Sequence, residues 1–263
     1  MKALNLCRSN ANVAKNGCLA IGKLAANADD RKVLLMAAGG GATVVEAMKR
    51  HAADAKVTEY GAWAIRLLAT GSDERKASLM EAGAGEAGVA SLTQCAADKD
   101  AANDGCWALV QLTSSADPEA ARERIVAAGG SEAVVAALKM SGSNVDVAIH
   151  GCWAVGNLAL KSDERKVRLV AAGAVEEVVA ALAKHVDNVK VVEYGAWAVE
   201  IIASGGSGVD NRRARLAAAG AVEALLAVLR KWPSNDAVND ACLQRPSPFL
   251  PPLSPHSLPH PHR

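Results

Sequence analysis

Aromatic side chains are scarce in this chain: five Trp, two Tyr and one Phe make up 3% of its 263 residues. An interior with so few rings must close on Ala, Val and Leu, which suits helices that approach closely and stack. Charge of one sign is also missing. Lys and Arg number 29 against 28 Asp and Glu, a net charge of +1, so no strong field draws the chain toward nucleic acid or an anionic membrane. No apolar run reaches the 18 or more residues of a membrane span, and the opening MKALNLCRSNANVAKNG has no secretory pattern. These absences point to the cytoplasm, with the nucleus as a second compartment. A C-x-x-C pair, a phosphate loop and a nucleophile elbow are lacking as well, so the chain reads as no enzyme and as holding neither metal nor cofactor.

What is present is a period. The strings GCLAI, GAWAI, GCWAL, GCWAV and GAWAV begin at Gly17, Gly61, Gly105, Gly151 and Gly195, and a degenerate ACLQR begins at Ala241. The spacings are 44, 44, 46, 44 and 46 residues. Self-similarity at this period marks a stacked architecture in which no unit buries its apolar face alone.

Residues 162–204 show the unit most clearly. SDERKVRLVAA predicts a short helix with Ser162 as N-cap and Asp163 and Glu164 in its first turn. Gly173 ends it, and Gly39, Gly83, Gly129 and Gly220 fall at the same point of their copies, which predicts a backbone turn with positive φ. In AVEEVVAALAKH, Val175, Val178, Val179 and Leu182 form one apolar helical stripe. A third helix follows from about Val189 to Ala203 and carries the GAWAV string. The repeated SDERK segments, at 72–76 and 162–166, read as cap and charged face of the first helices. Cys18, Cys106, Cys152 and Cys242 share one rung position beside Ala62 and Ala196 and read as small buried residues; Cys7 and Cys95 lie near the ends of preceding helices.

The string AAGAVEEVVAAL followed by YGAWAVEIIA resembles the armadillo repeat, a short helix, a glycine turn and two longer antiparallel helices. The resemblance implies an all-α, right-handed superhelical solenoid with about three helices per unit. It covers residues 1–244: a partial repeat at 1–26, complete repeats at 28–70, 72–114, 116–160 and 162–205, and a broken repeat at 208–244. The chain opens inside a second helix, since Ala3, Leu4 and Leu6 align with Ala137, Leu138 and Met140, as a piece of a longer array would. KVTEYGAWAI at 56–65 returns as KVVEYGAWAV at 190–199, and AANDGC at 101–106 as AVNDAC at 237–242, consistent with duplication of a three-repeat block. Residues 245–263 hold seven of nine prolines and three of six histidines; such a tract cannot continue a helix and reads as disordered, with the composition of a misread frame or unspliced sequence.

Along the third helix, residues four, three and four apart share a row. The rows read Lys56, Tyr60, Trp63, Leu67; Asp100, Asp104, Trp107, Gln111; Asp146, His150, Trp153, Asn157; and Lys190, Tyr194, Trp197, Ile201. Six of the eight aromatics lie here, four Trp and both Tyr, turned about 100° from the core stripe of Ala148, Cys152, Val155 and Ala159. The residue pattern leaves two roles open, packing between adjacent third helices or display to a partner. The armadillo resemblance implies the second, because third-helix residues of that family line a concave face that binds extended peptides. The partner-binding set is then Tyr60, Trp63, Asp104, Trp107, His150, Trp153, Asn157, Tyr194 and Trp197. Asp100, Asp104 and Asp146 give the centre an acidic texture that suits a protein or peptide partner with a basic extended segment. The expectation is a monomeric scaffold without nucleic-acid partners. The alternative is an importin-α-like receptor for basic nuclear localisation peptides, which needs Trp with Asn four residues on; only Trp153 and Asn157 satisfy it.

Overall fold

A computed structural model of the protein describes residues 10–26, 28–114 and 117–233. The expected N-terminal helix fragment with Ala3, Leu4 and Leu6, the sixth rung from Ala241, Cys7, Cys242 and the tail 245–263 lie outside the described residues.

The described residues form fifteen helices and no strand. Helix α1 (Ala11–Ala25) precedes four triplets. These are α2 (Asp29–Ala37), α3 (Gly40–Arg50) and α4 (Ala55–Ala69); α5 (Asp73–Glu81), α6 (Ala84–Cys95) and α7 (Lys99–Leu112); α8 (Pro118–Ala127), α9 (Gly130–Ser141) and α10 (Val145–Ala159); and α11 (Asp163–Ala172), α12 (Ala174–Lys184) and α13 (Val189–Ala203). Helices α14 (Val209–Ala218) and α15 (Ala221–Lys231) follow.

Local chemistry sets each boundary. Gly39, Gly83, Gly129, Gly173 and Gly220 all stand at positive φ, between 77° and 99°, the left-handed turn that lets the second helix leave the first without a Cβ clash. Ser72 and Ser162 accept the backbone N–H groups of Arg75 and Arg165, as N-caps do. Every described third helix starts on an Asx cap. Asn10, Asp54, Asp98, Asn144 and Asn188 each accept two backbone N–H bonds from the first turn. Their spacing repeats that of the rungs, so one side chain per copy fixes where the rung helix begins.

The third helices pack in sequence, α1 on α4, α4 on α7, α7 on α10 and α10 on α13, with the second helices forming a parallel layer. Ala148, Cys152, Val155 and Ala159 are fully buried, as are Val175, Val178 and Leu182. Cys18, Cys106 and Cys152 are free and buried in that interior, where desolvation pushes each thiol up to about 12. Met48, Leu92, Leu138 and Leu182, each from a second helix, press against Gly61, Gly105, Gly151 and Gly195. The glycine that opens each of these rung strings is therefore the notch that seats the second helix.

The SDERK segments are only partly a charged face. Ser72 and Ser162 cap and the acids face water, but Arg75 and Arg165 are 7% and 2% exposed. Each guanidinium turns inward to the end of the preceding third helix, five and seven residues back, and to an acid of the preceding first helix, Asp29 for Arg75 and Glu119 for Arg165, 46 residues away, which the local pattern does not reveal.

Candidate functional site

The Trp row lies on the edge of the third-helix layer. Trp63, Trp107, Trp153 and Trp197 are all half-buried, with Tyr60 and Asp104 in the same class. His150, Tyr194 and Asn157 are buried, at 1%, 2% and 8% exposure. The exposure expected for the whole row is not found at these three, whose side chains are covered by neighbouring helices.

The rings lie against the neighbouring helices in a fixed register. Residues three beyond the Trp position are Gly22, Arg66, Val110, Gly156 and Glu200. Trp63 lies over Gly22 and Trp197 over Gly156, so closely that a Cβ on either glycine would sit 2.3 Å from a ring carbon. At the same register the Arg66 guanidinium covers the Trp107 ring at 3.7 Å, a cation–π contact. Two of the rings also meet the residue three before the next Trp. Trp107 stacks on His150, with centroids 4.3 Å apart and planes 12° apart, and Trp153 on Tyr194 at 4.8 Å and 4°. Within α10, His150 and Trp153 are 6.5 Å apart. The result is a continuous run, Arg66, Trp107, His150, Trp153, Tyr194, across α4, α7, α10 and α13. The sequence row identified the rings but missed Arg66, Gly22 and Gly156; the signal was available as the residue three places beyond each Trp.

His150 is held as a neutral imidazole. Its Nδ1 lies 3.0 Å from the Asp146 carbonyl oxygen, which can only accept, and 2.7 Å from Asn103 Oδ1, so Nδ1 carries the proton and donates. Burial, with the Arg66 charge adding to it, drives the imidazole from 6.5 down to about 3, against the opposing backbone bond to Asp146. Burial, then the Glu193 charge, raises the Tyr194 phenol. Two donors in the row, Trp107 Nε1 and Asn157 Nδ2, are buried with no acceptor among the described residues.

The acidic centre carries its own cations. Asp104 is 3.8 Å from Arg66, and Asp100 is 3.9 Å from Lys56, which also bonds Glu59. Lys190 pairs with Glu193 at 2.8 Å. The flanking lysines and Asp100 keep nearly half of their side chains exposed, so these pairs are surface pairs that an incoming charge can exchange. Among the described residues no group of three or more His, Cys, Asp or Glu could hold a metal ion, and no helix is long and apolar enough to cross a membrane.

No family model and no curated protein matches the chain. Solved structures do. An engineered protein is 26% identical with a TM-score of 0.74, the match covering 92% of each chain. A designed armadillo repeat protein in complex with the peptide (KR)4 is 24% identical, with a TM-score of 0.67 and coverage of 88% of this chain and 89% of the other. A structure describing a phosphorylation switch in the interaction between cadherin and β-catenin is 17% identical at a TM-score of 0.75; the match covers 92% of this chain and 43% of that one. The fold of this protein is the armadillo-type repeat solenoid.

Proposed function

We propose that this armadillo-type solenoid is a non-catalytic scaffold that holds an extended protein segment along the Trp and Tyr row of its third helices, on the concave side of the stack. The observation that carries it is the prebuilt run of stacked rings on consecutive rungs, in which the Trp residues are half-buried. Preorganised aromatics are the side chains that bind partners at low entropic cost. Helices packed roughly 8–10 Å apart match two to three residues of an extended chain rising about 3.3 Å each. Trp63, Trp107, Trp153 and Trp197 offer ring edges, with Tyr60 and Asp104 beside them. His150 and Tyr194 sit inside the stack and position the rings.

The segment is basic in this proposal. Its cations pair with Asp100, Asp104 and Asp146 and lie against Trp faces, as the (KR)4 complex of the designed neighbour supports by analogy. The scaffold acts as a monomer in the cytoplasm, with the nucleus as a second compartment. The importin-α-like reading draws on the Trp153 and Asn157 pair alone, because Leu67, Gln111 and Ile201 stand at the Asn position of the other rungs.

The test is titration of a (Lys-Arg)4 peptide into the full chain at physiological salt. The expected result is saturable binding below about 1 mM that weakens as salt rises, with Trp153→Leu weakening it about tenfold or more. An acidic (Asp-Glu)4 peptide binding equally well would overturn the basic segment, and no saturation by either peptide would overturn the groove.

A further inference from the structure

Each first helix carries a distinctive position four residues before the apolar residue that anchors it. The pairs are Arg31 and Leu35, Arg75 and Leu79, Ala121 and Ile125, Arg165 and Leu169, and Arg212 and Leu216. Every arginine in this set reaches out of its own repeat to the end of the preceding third helix. Arg31 donates to the Ala26 carbonyl at 2.8 Å. Arg75 donates to the carbonyls of Leu68 and Thr70 at 2.8 and 2.7 Å and to Asp29 at 2.8 Å. Arg165 donates to Leu158 and Leu160 at 2.8 and 2.6 Å, and to Glu119 and Glu123 at 2.6 and 2.8 Å. Arg212 donates to Ile202 and Gly205 at 2.8 and 2.6 Å, with Asp163 at 3.4 Å.

These contacts form a staple with two halves. A guanidinium seals the orphan carbonyls and negative end of a third helix. It also bonds the first-turn acid of the preceding first helix, and Asp29, Asp73, Glu119 and Asp163 occupy that place in turn. At the junction of α7 and α8 only the acid is present. Ala121, 4% exposed, stands where the arginine would be. Asp73 bonds Lys76 of its own helix at 2.9 Å, and Arg122 folds back on Glu119 at 2.6 Å. The ion pair that crosses here, Arg124 with Glu86, is about 40% exposed on both sides and is worth little against water and salt.

We propose that the α7/α8 junction is a hinge dividing the solenoid into two blocks, α1–α7 and α8–α15, with the Trp107–His150 stack as its pivot. Motion opens the first-helix edge, where the staple is missing, and tilts Trp107 relative to Trp153 in the middle of the aromatic row. The hinge itself needs no bound partner; its effect on a bound segment rests on the function proposed above.

Hydrogen exchange of the full chain, without ligand, tests it. In the wild type, amides in the last turn of α7 and the first turn of α8 exchange at least tenfold faster than those at the α4/α5 and α10/α11 junctions. Ala121→Arg, which supplies the missing half opposite Asp73, slows them at least tenfold. Arg165→Met, which keeps the stem and removes the fork, speeds exchange at α10/α11 to the α7/α8 level. Equal protection at all junctions, or a folded Ala121→Arg that exchanges like wild type, overturns the hinge. Where Ala121→Arg does not fold, Arg165→Met decides: unchanged exchange at α10/α11 overturns the staple. A failed peptide titration leaves these outcomes untouched.

Discussion

Gly156→Ala is the smallest change that asks whether the aromatic row is a packed element of the solenoid. A Cβ at residue 156 would stand 2.3 Å from Cζ3 and 2.4 Å from Cε3 of Trp197. Carbon atoms in contact prefer about 3.5–4.0 Å, so the indole must retreat by more than about 1 Å. It cannot swing freely, because α10 and α13 are packed along their length. Overpacking of this kind costs about 1–3 kcal/mol. Against it, Ala in a helix interior gains about 0.5–1 kcal/mol over Gly. The net expectation is a loss of about 1 kcal/mol. Without the ring, the same substitution would stabilise. The sign is therefore the measurement, read from urea midpoints at constant slope, with near-ultraviolet circular dichroism reporting the displaced indole. In a Trp197→Leu background the substitution should turn neutral or stabilising, because the leucine leaves room for the new methyl. Gly22→Ala, opposed to Trp63 at the same 2.3 Å, should behave alike. A Gly156→Ala variant more stable than wild type, with an unchanged near-ultraviolet spectrum, would refute the packing.

Two more expectations follow from buried titratable groups. His150 moves from 6.5 to about 3 in the folded chain, so the unfolded chain binds the extra proton between those values. The neutral imidazole thus contributes stability that is full above pH 6.5 and is lost as pH falls toward 3, at about 1.4 kcal/mol per unit. Urea midpoints should fall by about 2 kcal/mol equivalent more between pH 7 and 5 in wild type than in His150→Gln, and equal falls would sink the assignment. Cys18, Cys106 and Cys152 are each pushed up to about 12 by burial, so a Cys7→Ser, Cys95→Ser, Cys242→Ser variant should react with a thiol reagent at pH 8 only as it unfolds. Fast labelling of these three in the native protein would contradict the burial.

The helices were legible because each boundary is written in one residue that acts locally. A glycine in the left-handed region, a serine or Asx cap and a stripe of Val and Leu need no knowledge of the neighbouring repeat. What sequence could not supply is the contact between repeats. Tyr60 and Tyr194 sit in nearly identical strings, EYGAWAI and EYGAWAV. Tyr194 is 2% exposed against Trp153, whereas Tyr60 is half-buried and follows a rung with Leu19 at the Trp position. The difference belongs to the preceding copy. The same holds for the SDERK arginines, whose acceptors lie on the previous repeat, and for Asp104, whose charge is answered by Arg66 from α4. Long polar side chains bury their stems and send the charge across a junction, so local charge reads as surface when it is a joint.

The scarcity of aromatics follows from the same junctions. Third helices approach closely because Gly, Ala and Cys occupy their facing stripe, and a ring placed there would force them apart. At the layer edge the four Trp rings contact neighbours that lack a side chain or are flat. Gly22 and Gly156 are the neighbours without a side chain, and His150, Tyr194 and the Arg66 guanidinium are the flat ones. Hence six of eight aromatics gather in one row, and in the function proposed above packing and display are not alternatives there. Each Trp is half-buried, so it can space two helices and still keep surface open to solvent. Truncating a Trp, as in Trp153→Leu, removes both at once, so a weakened partner places the ring in the binding row without separating contact from spacing. Substitutions three residues beyond the Trp shift a ring without deleting it, and they separate the two roles. A variant that unseats Trp197 through Gly156 should weaken a partner's hold only where that partner touches α13, leaving its contacts at Trp63 and Trp107 intact.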